Sequence, residues 1–235
     1  MEIVSMGKKF PKLVLFDIDG TLVHCGPTPR RAFKRALEQT FGTAGPIDEW
    51  IFDGKTDPLI VRELMEAAGV ACDEGLIGST LGLYVEWLAR ELPDEPAKRV
   101  LPGVSELLDA LAAKGALLGL LTGNVRDGAR AKLGALGLWD YFPFGGFADD
   151  SHLRSEIATV AVGRAGEHAG RLFVGKDIVI IGDTPHDVHC GRHLGARAVG
   201  VATGRNSAEV LLAAGAGAAL ADLEDWRAAA ETICG

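Results

Sequence analysis

The sequence predicts an α/β protein: a parallel β-sheet sandwiched by helices, interrupted by an inserted α-helical segment. Three observations carry this. Short apolar runs of strand length recur at Leu13–Phe16, Ala116–Leu121, Ile178–Ile181 and Ala198–Ala202, the form taken by strands buried on both faces. Amphipathic stretches with helical spacing alternate with the later runs, as in a parallel sheet with helical crossovers. Between Phe16 and Ala116, strand character almost vanishes and helix signals take over.

Leu13–Phe16 is the first strand. After it, Thr28-Pro29 and Asp57-Pro58 each pair an N-cap residue with a proline at the first helical position. Helices are expected over 28–41, 57–68 and 78–92. Pro93 to Pro96 reads as a linker, and Leu101-Pro102-Gly103 restarts the main unit. There Val104, Leu107, Leu108 and Leu111 mark one helix, and Ala129, Leu133 and Leu136 mark another. The Ala/Gly-rich piece 213–219 reads as a helix end leading into a last strand. The division expected is a core of residues 1–23 and 98–235 with a helical cap domain of residues 24–97.

Composition narrows the function. The 235 residues are 48% hydrophobic and 24% charged, the mix of a globular domain with a real core. With 24 Lys and Arg against 32 Asp and Glu, the net charge is −8 and no basic block stands out. Nucleic acid and anionic membrane are therefore poor partners. No run approaches the roughly 18 apolar residues that span a bilayer. Met1 to Lys12 lacks the apolar stretch of a signal peptide. Cys25, Cys72, Cys190 and Cys234 are scattered without a C-x-x-C pair, which points to a reducing compartment. The protein reads as cytoplasmic.

Ligands of parallel sheets bind beyond the carboxyl ends of the strands. Three clusters stand there: Asp17-Ile18-Asp19-Gly20-Thr21, Thr122-Gly123-Asn124 and Gly182-Asp183-Thr184-Pro185-His186-Asp187. Carboxylates crowded at one sheet edge repel unless a cation holds them. Mg²⁺ suits such a site, because it takes one or two carboxylates and leaves room for phosphate oxygens. An ionised Asp can attack phosphorus, and a second can move the proton of the leaving oxygen. Thr122 and the neighbouring backbone N–H groups can bind phosphate oxygens.

These three clusters, in this order and each after an apolar run, resemble the haloacid dehalogenase superfamily, most closely its phosphoglycolate-phosphatase-like branch with a helical cap. The first matches D-x-D-G-T, the second the Thr or Ser after the second core strand, the third G-D-x-x-x-D. The resemblance covers the whole chain and implies a Rossmann-like core. It further implies that Asp17 is nucleophile and metal ligand. Asp19 is then general acid/base, giving its backbone carbonyl to Mg²⁺. Thr122 binds the transferring phosphoryl group with Gly123 and Asn124 nearby. Asp183 and Asp187 hold or support the metal. The family places a Lys before the third acidic cluster, and none stands there. Arg154 does, and supplies a permanent cation; Lys176 is the rival but lies at the base of the following strand.

The function implied is a Mg²⁺-dependent phosphatase for a small phosphorylated metabolite (phosphoglycolate-like, a sugar phosphate or a nucleotide), acting as a monomer or homodimer without nucleic acid or membrane. Asp19 argues against dehalogenation, which needs no proton donor for an alcohol. A phosphomutase of the β-phosphoglucomutase type and a non-catalytic binding protein of the same fold remain as alternatives. Gly54-Lys55-Thr56 is no P-loop, because Glu49 stands where Gly is needed and no strand precedes it. Lys55 nevertheless suits an anionic substrate from a cap loop. His186, His189 and His193 read as helix packing rather than a metal site, and Cys25 as structural.

Overall fold

Leu13–Phe16 (β1) is the centre of the molecule. In the computed structural model, which describes residues 12–235, all four of its side chains are fully buried. The segment read as lacking a leader, and with it the start of the 1–23 core segment, lies outside the described residues except for Lys12. β1 pairs in parallel with Leu117–Leu121 (β4) on one side and Ile178–Gly182 (β6) on the other, with Leu15 opposite Gly119 and Ile180. Gly145–Gly146 (β5) extends the sheet beyond β4, while Arg197–Val201 (β7) and Ala218–Leu220 (β8) extend it beyond β6. Among the described residues this gives a six-stranded parallel sheet in the order β5-β4-β1-β6-β7-β8. Counting only these strands along the chain, the order is the 3-2-1-4-5-6 of doubly wound folds, and the direction of winding reverses between β1 and β6.

Alternation along each strand feeds two cores. Leu13, Leu15, Leu117 and Ile180 meet Ile157, Ala158 and Ala161 of α6 (Arg154–Ala169) and Cys190 of α7 (Pro185–His193). Val14, Phe16, Leu118 and Ile181 meet the other layer: α4 (Val104–Ala113), α5 (Arg126–Gly134) and α9 (Trp226–Cys234). Each such Leu, Ile or Phe contributes about 1.5–3 kcal/mol by leaving water. The short helix α8 (Ala208–Ala213) leads into β8.

The helical insert follows β1 through a short antiparallel ribbon, Val23–His24 (β2) paired with Arg99–Val100 (β3). Between the ribbon's strands lie α1 (Thr28–Phe41), α2 (Asp57–Ala67) and α3 (Glu74–Glu91). Phe33 of α1 stacks on Tyr84 of α3 with ring centroids 3.9 Å apart, and α3 packs on α5 of the core.

One helix start and two capping roles differ from expectation. The third helix begins at Glu74 rather than 78, because the Asp73 side chain accepts the Leu76 N–H at 2.8 Å and caps it there. Thr28 and Asp57 are not N-caps; each is already inside its helix. Their side chains serve longer-range contacts. The Thr28 hydroxyl donates to Glu95 at 2.6 Å, and Asp57 reaches the core. The strands β2, β3 and β5 were not expected, since two residues carry no periodicity.

Candidate active site

The strand ends do converge. The Asp17 N–H donates to the Ile181 carbonyl at 2.9 Å, so pairing between β1 and β6 runs on to Asp17 itself. The Thr122 N–H does the same to Gly146 at 3.1 Å beyond β4. Asp17, Asp19, Gly20, Thr122, Arg154 and Asp183 all line one cavity of about 330 Å³ between the sheet edge and the insert. It lies at the reversal point between β1 and β6, where a sheet of this order opens a crevice. A larger groove of about 590 Å³ lies at the β5 edge, away from these residues.

Asp17, Asp183 and Asp187 are buried and offer carboxylate oxygens within 4.8 Å of one another. Burial pushes the Asp17 carboxyl up to about 7, helped by the charge of Asp187 and opposed by Arg154. Burial, then the charges of Asp17 and Asp187, push Asp183 up to about 8. Such shifts mark negative charge that the protein alone leaves uncompensated. The donor set is all oxygen, which fits a hard divalent cation.

The backbone closes tightly around Asp183. A methyl on Gly20, at φ +80°, would sit 2.6 Å from Asp183 Oδ2, and one on Gly204 would sit 1.8 Å from it. Only glycine permits this approach. Asn206 Nδ2 donates to the Asp183 carbonyl at 3.0 Å, and Thr21 Oγ1 to its carboxylate at 3.3 Å.

Asp187 has a second duty. Its Oδ2 accepts from the Thr184 N–H at 3.1 Å and from the Thr184 hydroxyl at 2.6 Å, completing a capping box at the start of α7. Its Oδ1 accepts from Arg154 Nη2. Arg154, in the first turn of α6, also lies 3.6 Å from Asp17 Oδ1, with its side chain only 8% exposed. Burial opposes the guanidinium's charge, but Asp187 and then Asp17 outweigh it, so it is held more firmly protonated than a free Arg. Its Nε is buried with no hydrogen-bond partner, a donor left unsatisfied in a residue that lines the cavity. Lys176 is exposed in the turn before β6, where its carbonyl accepts from Lys12 Nζ. It lies at the opposite end of that strand from Asp183.

Lys55 lines the cavity, but its ammonium is paired with Glu63 and lies 5.1 Å from the centre of the Trp50 ring. Asn124 contributes its side chain as well as its backbone: Nδ2 donates to Thr122 Oγ1 at 2.7 Å and to Asp19 Oδ2 at 2.9 Å. The Gly123 carbonyl accepts from the Asp57 N–H at 2.8 Å, so that face of the loop is already engaged.

The family model for haloacid dehalogenase-like hydrolases matches residues 14–192. The chain belongs to the haloacid dehalogenase-like hydrolase family. A phosphoglycolate phosphatase of Rhodospirillum rubrum is 33% identical over 225 residues, covering 92% of this chain and 90% of the relative. The structure of a predicted phosphatase from Clostridium acetobutylicum superposes with a TM-score of 0.72 at 21% identity, covering 95% of this chain and all of that one. A protein assigned as a β-phosphoglucomutase from Bacteroides vulgatus superposes at 0.69 with 22% identity, covering 95% and 89%. At those identities the two structures speak for the fold alone.

Two parts of this hydrolase site escaped sequence reasoning. The loop after β7, with Thr203, Gly204 and Asn206, braces Gly20 and Asp183. It stands at a strand end, so the rule that found the other clusters applied to it as well. The other part is Lys132 of α5, whose ammonium donates to Asp19 Oδ2 and to Asn124 Oδ1, both at 2.6 Å. Its signal was its place on the apolar stripe with Ala129, Leu133 and Leu136, where a Lys is unusual. Among the described residues the only acidic, His or Cys cluster fit for a metal is the Asp triad, so the histidines of α7 form none. Cys25 is buried and lines the cavity, and burial, then the charge of Asp19, push its thiol up to about 12.

Proposed function

We propose that this hydrolase is a Mg²⁺-dependent phosphatase of a small phosphate monoester, working through an aspartyl-phosphate on Asp17. The observation that supports it most is the meeting of Asp17, Thr122, Arg154 and Asp183 in one buried cavity, with the Arg154 Nε unpartnered. Asp17, Asp183 and Asp187 would hold the Mg²⁺, with the backbone carbonyl of Asp19 as a further oxygen. When bound, the ion offsets negative charge on the carboxylates and the phosphoryl oxygens.

A carboxylate oxygen of Asp17 attacks phosphorus in line, and the bond to the ester oxygen breaks. Arg154, Thr122 and the backbone around Gly123 hold the phosphoryl oxygens, where positioning and electrostatics account for most of the rate. The Asp19 carboxyl gives its proton to the departing alkoxide. Its carboxylate then takes a proton from water, which attacks the aspartyl-phosphate and releases phosphate and free Asp17. The insert excludes bulk water while this happens.

Phosphoglycolate leads the candidate substrates, because the Rhodospirillum rubrum relative carries that name. The insert wall supports an acidic tail: Arg30 lines the cavity and donates to the carbonyls of Ile47 and Trp50, a cation that meets no carboxylate among the described residues. The test is phosphate release from an aryl phosphate with and without Mg²⁺, beside Asp17→Asn. Release that needs Mg²⁺ and vanishes in the folded variant is expected; wild-type rates in Asp17→Asn would end the mechanism. Phosphoryl transfer to a sugar exceeding release to water would move the mutase reading ahead.

A further inference from the structure

Lys132 is 4% exposed. An ammonium so deeply buried costs several kcal/mol unless it is paired and fully hydrogen-bonded. Ala129 and Leu133, on the same stripe of α5, are apolar core residues that explain no charge there. Tyr84 of α3 and Asp57 of α2 enclose the same cavity from the insert side, and both are buried.

The contacts form a closed ring. Lys132 Nζ donates to Asp19 Oδ2 and to Asn124 Oδ1, and Asn124 Nδ2 donates back to the same Asp19 Oδ2. Lysine has donors only, so the Asn124 oxygen must face it and the amide NH₂ must face Asp19. The ring therefore has one orientation. Both N–H donors land on Oδ2, and among the described residues none lands on Oδ1. An oxygen that already accepts two N–H bonds, one from a cation, is the poorer seat for a proton. The Asp19 side chain is 44% exposed and without the ring would be free to rotate.

We propose that Lys132 is a positioning residue which, with Asn124, locks the Asp19 carboxyl so that Oδ1 alone carries the proton to the leaving alkoxide and takes one from water. The inference rests on the phosphatase reading and adds to it a residue outside the three motif clusters. Proton transfer by a placed acid is worth about 10²–10⁴-fold. It matters only where the leaving oxygen needs a proton.

The experiment compares kcat/KM for 2,4-dinitrophenyl phosphate, whose leaving group departs unprotonated, with that for phenyl phosphate, in wild type, Lys132→Met and Lys132→Gln. The expected result is a loss at least about tenfold greater on phenyl phosphate than on the dinitrophenyl ester in Lys132→Met. Glutamine keeps one donor toward Asp19 and should show a smaller ratio in the same direction. An equal loss on both esters would reduce Lys132 to a structural residue and overturn the proposal. Thermal unfolding shows whether each variant is folded; where Lys132→Met is not, the ratio in Lys132→Gln decides. If the wild type releases phosphate from neither ester, the phosphatase reading itself fails and this proposal falls with it.

Discussion

Arg154 carries positive charge beside the acidic triad in a place where water cannot share the task. It faces Asp187 and Asp17 with its guanidinium almost wholly buried. Replacing it with Met leaves those carboxylates without their cation, and breaking a buried pair in this way costs about 3–5 kcal/mol. Arg154→Met should therefore lower stability by that order and phosphate release by at least about 10²-fold, as when an oxyanion donor is lost. Arg154→Lys keeps the charge but not the fork, and should recover much of the stability and little of the rate. Urea unfolding beside steady-state kinetics separates the two; equal recovery of both would deny Arg154 a role toward phosphate. At this scale the sequence was legible at three strand ends, where Asp17, Asp19, Thr122 and Asp183 line the cavity, and at the start of α6, where Arg154 does; the strand end after β7 was missed. Lys132 was not, because its partners lie at Asp19 and Asn124 and only the packing of α5 against the sheet brings them together. Lys55 lines the cavity as read, but its pairing with Glu63 depends on the turn of α2 and could not be seen beforehand.

Among the elements, α2 holds the insert against the loop that follows β4. Asp57, in its first turn, donates its N–H to the Gly123 carbonyl and accepts the Val125 N–H on Oδ2, both at 2.8 Å. The two bonds straddle Asn124 and tie the loop to the start of α2. Asp57→Ala leaves the buried Val125 N–H without an acceptor, a cost of about 1–3 kcal/mol. Hydrogen exchange should then speed up at Val125 and its neighbours while the amides of β1 keep their protection; unchanged exchange at Val125 would show that Asp57 does not hold the loop. The helices were legible because Thr28-Pro29 and Asp57-Pro58 announce a start, and α1 indeed begins at Thr28 and α2 at Asp57. The capping roles were not, because the same polar side chains found partners at Glu95 and Val125, far away in sequence. The two-residue ribbon β2–β3 is invisible to any periodicity, yet it is the neck through which the chain enters and leaves the insert.

For the whole molecule, the buried carboxylates tie stability to pH and to a cation. Asp17 and Asp57 are each pushed from 3.8 to about 7, and Asp183 to about 8, with burial the largest cause in each. Between these values the folded chain without metal holds protons that the unfolded chain has released. Stability from these groups is then fully present below about 4 and is lost as pH rises through 7 to 8. A divalent cation acts in the opposite sense, because it binds only deprotonated carboxylates and only where folding has assembled them. The metal-free protein should therefore show a Tm that falls from pH 5 to pH 8. Millimolar Mg²⁺ should restore it at pH 8 and do little at pH 5. Asp183→Asn removes one crowded charge, so it should raise the metal-free Tm at pH 8 by about 2–4 °C, the shift that about 1 kcal/mol gives in a chain of this size. The same variant should lose most of the response to Mg²⁺ and the activity with it. Scanning calorimetry at the two pH values, with and without Mg²⁺, reads all of this. A Mg²⁺ response equal at both pH values, or undiminished in Asp183→Asn, would place the ion outside the acidic triad.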